Sequence, residues 1–206
     1  PMPDSYAAVD SQDGLTLYEN PTVLPLAFAA DPDILSLELT AGDPFQNQNL
    51  LFSALSGQSA QLFTPVTPTA IVEEADGTVT LTFQGSGLPI YANLSTSGLI
   101  GLRVNGVYLT ELNTSETRCI HYLGTPAKDE TLTAVIRCSS LQDWSGRFYT
   151  LDQALLSSGL AALGGDSQPQ ADGSTVRLEL TVAEAQAVVT TIPAEDGWTA
   201  YVDGQP

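Results

Sequence analysis

Basic residues are scarce in this chain: 6 Lys and Arg stand against 24 Asp and Glu over 206 residues, a net charge of −18. That shortage excludes nucleic acid as a partner, because such binding relies on Lys and Arg to neutralise phosphates. Electrostatic adhesion to anionic lipid is disfavoured on the same ground. Histidine occurs once and cysteine twice, so every His-dependent mechanism would have to pass through His121. No apolar run approaches the roughly 18 residues that a spanning helix needs. The start, Pro1-Met2-Pro3-Asp4, lacks the basic and apolar regions of a signal peptide, so if the domain is extracytoplasmic its export signals lie in sequence outside this one. There is no Gly-x-Ser-x-Gly elbow, no His-Glu-x-x-His pair, no Walker loop and no Gly-x-Gly-x-x-Gly. No cofactor or metal is expected.

What is present reads as β structure. With 43% hydrophobic residues the chain has material for a core, and turn dipeptides recur along it. Asp13-Gly14, Asp76-Gly77, Asn105-Gly106, Asp172-Gly173, Asp196-Gly197 and Asp203-Gly204 separate short runs rich in Val, Thr, Leu and Tyr. Asn-Gly and Asp-Gly supply the positive φ that tight hairpins need. One hairpin is predicted from Leu99–Val104 and Val107–Leu112, another from Ile71–Glu74 and Thr78–Phe83. Two helices are expected. Asp43-Pro44 caps one running to Leu55 and stopping at Gly57. Thr150-Leu151-Asp152-Gln153 reads as a capping box for the other, Leu151 to Leu163, before Gly164-Gly165 and a loop to Gly173. Near the end, Trp198, Ala200 and Val202 alternate as one face of a strand, with Trp198 in the core. The fold class is mainly β: an antiparallel sandwich, jelly-roll-like, with two short α-helices. With no repeat or linker, one domain is expected over 1–206.

The candidate chemistry is thin. If 117–124 folds back on 131–138, a symmetric register pairs 124 with 133, 122 with 135 and Cys119 with Cys138. The thiols then face each other within disulfide range; the alternative is two buried thiols. A zinc site from Cys119, His121 and Cys138 lacks a fourth ligand. Asp31-Pro32-Asp33 has the Asp-x-Asp shape that binds metal in some glycosyltransferases, but Pro32 marks a turn. Asp143, Trp144, Arg147 and Tyr149, with Phe148, form an aromatic–polar cluster able to meet sugar, by ring stacking and by hydrogen bonds to hydroxyls. The structural alternative is that these aromatics dock the following helix. Asn93-Leu94-Ser95 and Asn113-Thr114-Ser115 are formal sequons.

Several segments, taken in order, carry a resemblance. Tyr18-Glu19-Asn20-Pro21, Asp43-Pro44-Phe45-Gln46-Asn47-Gln48-Asn49, Val104-Asn105-Gly106-Val107-Tyr108, Tyr122-Leu123-Gly124, Phe148-Tyr149-Thr150-Leu151-Asp152 and the Trp198–Gly204 stretch resemble the YfhO family. These are multi-pass bacterial membrane proteins of glycosyltransferase type. The resemblance implies an extracytoplasmic β-rich domain at the outer face of the cytoplasmic membrane, anchored by helices absent from this sequence. Family members continue beyond the last Asp-Gly turn, so the chain looks like an excised ectodomain with an unpaired terminal strand. The whole protein would transfer sugar from a polyprenyl-phosphate carrier to a cell-envelope polymer such as lipoteichoic acid. The catalytic acid would lie near the first membrane helices, leaving this part inert, in acceptor binding or active-site shaping. Two rivals are a stand-alone carbohydrate-binding module and a structural assembly domain without a sugar ligand.

Overall fold

The computed structural model describes residues 6–205 except 21, 95–98, 112–119, 140, 142–143, 164, 166–168 and 184. Strands β1 (Ala7–Gln12) and β2 (Leu15–Glu19) form a hairpin, and β3 (Ala27–Ala30) follows. Helix α1 (Pro44–Ser56) leads into β4 (Phe63–Pro65), β5 (Ala70–Glu73), β6 (Thr78–Gln84) and β7 (Ile90–Leu94). Next come β8 (Leu99–Val104), β9 (Val107–Glu111), β10 (Ile120–Gly124), β11 (Thr131–Cys138) and β12 (Gly146–Leu151). Helix α2 (Gln153–Ala162) precedes β13 (Gln170–Asp172), β14 (Thr175–Arg177) and β15 (Ala187–Thr190). Two sheets dominate. One has five strands in the order β5-β6-β11-β8-β9, the other four in the order β10-β7-β12-β4, and their paired strands are antiparallel.

Alternation builds the core between them. Val79, Leu81 and Phe83 of β6 and Leu132, Ala134 and Ile136 of β11 point inward from the five-stranded sheet. Ile90, Ala92 and Leu94 of β7 and Phe148 of β12 meet them from the other. Each large side chain buried this way stabilises the fold by about 1.5–3 kcal/mol. A second cluster lies on the opposite face of the four-stranded sheet. There Phe45 and Phe52 of α1 pack on Phe63 and Leu151, with Leu155 and Leu156 of α2 alongside. Gly159 makes the helix pair close, since a Cβ there would strike the Phe52 ring. The molecule is thus mainly β, a sandwich with two helices on one outer face.

Several expectations hold and several do not. Both predicted hairpins form, and Asn105 and Gly106 take φ of 47° and 80° between β8 and β9. Helix α1 starts at Pro44, with the Asp43 carboxylate accepting from Gln46 N–H, and ends at Gly57 in the left-handed region. Helix α2 starts two residues later than expected. Leu151 completes β12 opposite Phe63, so the capping residue is Asp152, which accepts from Leu155 N–H. The loop expected to reach Gly173 gives way to β13 at Gln170.

The hairpin joining 117–124 to 131–138 is overturned. β10 pairs with β7, and β11 lies between β6 and β8 in the other sheet. Leu123 and Leu132 face the same core from opposite sides, so the 125–130 connection crosses between sheets. The terminal strand is also a correction. Trp198 is 51% exposed and Val202 71%, and only a Val202–Gln205 bridge closes the Asp203-Gly204 turn. A strand needs a neighbour's ladder. The preceding β15–β3 pairing ends at Thr190, and Pro193 removes a donor soon after.

Candidate functional site

The four-stranded sheet carries a row of tyrosines on its helix-facing side. Tyr122 of β10 stands opposite Tyr91 of β7, which stands opposite Tyr149 of β12. All three are half-buried and alternate with residues of the sandwich core. The Tyr122 and Tyr91 rings lie 5.4 Å apart, Tyr91 meets Phe63 edge-on at 5.8 Å, and Phe45 sits 4.2 Å from Tyr149. The helices cover the β4 end, where Phe45 docks on Tyr149, Tyr91 of β7 packs against the same cluster, and Tyr122 lies beyond it on the edge strand β10. Burial, with Tyr122 and Tyr6 adding to it, raises the Tyr91 pKa, so the hydroxyl stays a proton donor at neutral pH. Tyr122 Oη lies 2.9 Å from Thr125 Oγ1.

A polar row runs beside the aromatic one. Two residues along each strand, Asn93 of β7 faces Arg147 of β12. Arg147 Nη1 is 3.0 Å from Asp43 Oδ2, and Nη2 donates to the Gly42 carbonyl. Flat aromatic surface next to amide and guanidinium donors is the arrangement that pyranose rings use: stacking on C–H faces, hydrogen bonds to hydroxyls.

The sheet therefore divides the cluster expected from sequence. Arg147 and Tyr149 share the outer face. Trp144 packs against the sandwich core instead, and its Nε1–H donates to Glu73 of β5 at 3.1 Å. Asp143 lies outside the described residues, as does Cys119. Cys138 is buried in the core, opposite Leu99. The Asp31 carboxylate accepts from Asp33 N–H at 2.9 Å and caps a short 3-10 turn over Pro32–Ser36. Among the described residues, no three His, Cys, Asp or Glu side chains gather as a metal site. Sequence reasoning missed Tyr91, Asn93 and Tyr122. Tyr91 sits between Ile90 and Ala92, a signal of strand alternation, but only the register aligns it with Tyr122.

His121 lies on β10 opposite Ala92, with a buried Nε2 that has no hydrogen-bond partner among the described residues. Burial alone holds its pKa below the ordinary 6.5. Stability from a depressed imidazole is complete above the unfolded value and is lost as pH falls through the folded one. Tm should therefore fall on acidification from about pH 7.5 to about 5.5, and His121→Leu should flatten that slope. Parallel pH profiles for the two proteins would refute the assignment.

Fold and site together define a class, an antiparallel sandwich backed by two helices with a row of half-buried tyrosines across one sheet face. The chain belongs to the family described as bacterial membrane protein YfhO, which matches it over residues 1–206. It matches no curated protein and no solved structure. Among the described residues, no helix is long and apolar enough to cross a membrane. The segments that resemble the family have structural work to do here. Asn20 accepts from Thr22 N–H in a turn, Asn47 closes the 40–47 loop through both the N–H and C=O of Thr40, and Asn49 ties α1 to β4.

Proposed function

We propose that this chain is the extracytoplasmic domain of a YfhO-type membrane glycosyltransferase, and that the tyrosine face binds the glycopolymer acceptor. The observation that supports this is the Tyr122–Tyr91–Tyr149 row lying beside Asn93 and Arg147. On this reading the membrane part, outside this sequence, transfers sugar from a polyprenyl-phosphate carrier to an envelope polymer such as lipoteichoic acid. The domain itself holds the acceptor at the outer face of the membrane and turns over nothing alone. A glycan array, followed by NMR saturation transfer on the bound glycans, tests it. Tyr91→Ala and Tyr122→Ala should each weaken binding about tenfold, the worth of one lost stacking contact. Tyr122 lies on the edge strand, so its removal spares the core. An array without hits, or hits indifferent to both substitutions, would sink the proposal.

A second reading, assembly with a partner protein, is favoured by the β1–β2 hairpin, where Leu15 and Leu17 are 78% and 63% exposed. An isolated hairpin is marginal in water, and a partner would cover those leucines.

In an oxidising compartment a Cys119–Cys138 bridge remains part of the proposal. Cys138 is buried opposite Leu99, and Cys119 directly precedes Ile120, which pairs with Asn93. Such a bridge would stabilise by about 2–4 kcal/mol. Maleimide labelling of the denatured, unreduced protein should then find no reactive thiol, and two labelled cysteines would exclude the bridge.

A further inference from the structure

A cavity of about 540 Å³ shares no lining residue with the tyrosine face. Ala54 and Leu55, in the last turn of α1, and Ala162 and Leu163, at the end of α2, form part of its wall. Both helices thus bring their carbonyl ends to one space. The last four C=O groups of a helix have no partner within it and carry the negative end of its dipole. Neither last turn holds a basic side chain that would offset that charge. Asp31 adds a full negative charge to the wall. Its Oδ1 accepts from Asp33 N–H at 2.9 Å, and a carboxylate has further acceptor sites to offer. Asp31 is the ionisable residue among those that line the cavity, and the sequence of 164–168 and 184 includes no Lys, Arg or His. Within a chain of net charge −18, the space favours a cation.

Size and lining narrow the ligand further. One carboxylate falls short of the oxygen set that calcium or magnesium gathers, and a bare ion would fill little of the volume. Cavities of this size take small organic molecules, between largely apolar walls with a few convergent polar groups. Ala30 and Pro32 extend the apolar wall that the helix ends begin. Ala185, also in the wall, is held at φ 65°, a conformation disfavoured for a residue with a Cβ. We propose that this cavity binds a small organic ammonium group, its charge held by Asp31 and the carbonyl ends of α1 and α2. An amino sugar and an aliphatic amine present the same group, and the site stands independently of the sugar-binding reading above.

The test is an NMR titration of the 206-residue chain, following the backbone amides of Ala30, Leu55 and Leu163. The probes are glucosamine against glucose and butylammonium against butanol, at low and physiological salt. At least one amine should shift these amides and bind about tenfold or more tighter than its neutral counterpart, the scale of a charge-assisted contact. Which amine does so tells the sugar source from the aliphatic one. Added salt should weaken that binding and leave the neutral probes unaffected. Asp31→Asn keeps the cap, since asparagine caps about as well as aspartate, and should bring amine and neutral probe close together. Ala54→Met, which fills the space from α1, should abolish binding there, whereas Tyr122→Ala should leave the amine preference unchanged. Equal affinity for both amines and their neutral counterparts, an unchanged preference in Asp31→Asn, or shifts confined to residues outside the cavity would each overturn the proposal. So would the absence of any shift at these amides.

Discussion

Asn49→Asp should lower stability by about 3–5 kcal/mol, the cost of a buried charge without a partner. Asn49 is 6% exposed on α1, and its carboxamide serves both backbone groups of Phe63. Nδ2 donates to the Phe63 carbonyl at 2.8 Å, and Oδ1 accepts from the Phe63 N–H at 2.7 Å. Phe63 lies opposite Leu151 on β12, whose own N–H goes to the Pro89 carbonyl. The Phe63 pair of groups therefore points away from the sheet, at the outer edge of β4. Asparagine stands in for the missing neighbouring strand because it alone offers one donor and one acceptor at that reach. Aspartate turns the donor into a second acceptor against a carbonyl. The Tm should drop by about 10 °C or more for a chain of this size. Because a buried carboxyl prefers to be neutral, its pKa rises on folding, and part of the loss should return as pH falls towards about 4.5. Denaturant melts of both proteins at neutral and mildly acidic pH measure it. A loss below about 1 kcal/mol, the size of an ordinary hydrogen bond, would mean that the link does not matter.

Gly85→Ala should cost about 2–4 kcal/mol although it adds only a methyl group. A Cβ at this position would overlap the Ala127 carbonyl oxygen and come within 2.9 Å of Pro126 O and 3.0 Å of Glu130 O. Those oxygens belong to backbone held in place. Gly85 N–H donates to Glu130 O at 2.7 Å, Asp129 N–H donates to Gly85 O at 3.1 Å, and Gly87 N–H donates to Pro126 O at 3.1 Å. The stretch where β6 leaves its sheet is thus welded to the 125–130 crossing, and neither side can yield cheaply. The exposed turn at Gly173 has open space around its Cβ direction, so no such crowding penalty applies there. Equilibrium unfolding of Gly85→Ala checks this, and a change within about 0.5 kcal/mol, the scatter of surface substitutions, would contradict it.

Local chemistry was legible because it acts over a few residues. Asp43-Pro44 and Gly57 bound α1, and Asn105-Gly106 turns β8 into β9, since caps and positive-φ turns are decided by the residues that make them. Period-two patterns in 78–84 and 131–138 likewise announced strands with one buried face. The pairing of 117–124 with 131–138 failed because short sequence distance says nothing about which sheet a strand joins. Burial of Trp198 failed because alternation proposes a strand while a neighbour's ladder makes one.

The sequence by itself therefore determined the class of fold, the helix α1, the hairpin turns, the acidity that argues against nucleic acid, and the order of segments that marks the family. Only the tertiary structure assembled the candidate site. Tyr91, Asn93, Tyr122, Arg147 and Tyr149 come from three strands that are distant in sequence, and register across β10, β7 and β12 sets them side by side. Trp144, just before β12, packs against the sandwich core instead and donates to Glu73. Side chains two residues apart share a face and those one apart do not, so which aromatics meet depends on a pairing that no single segment encodes.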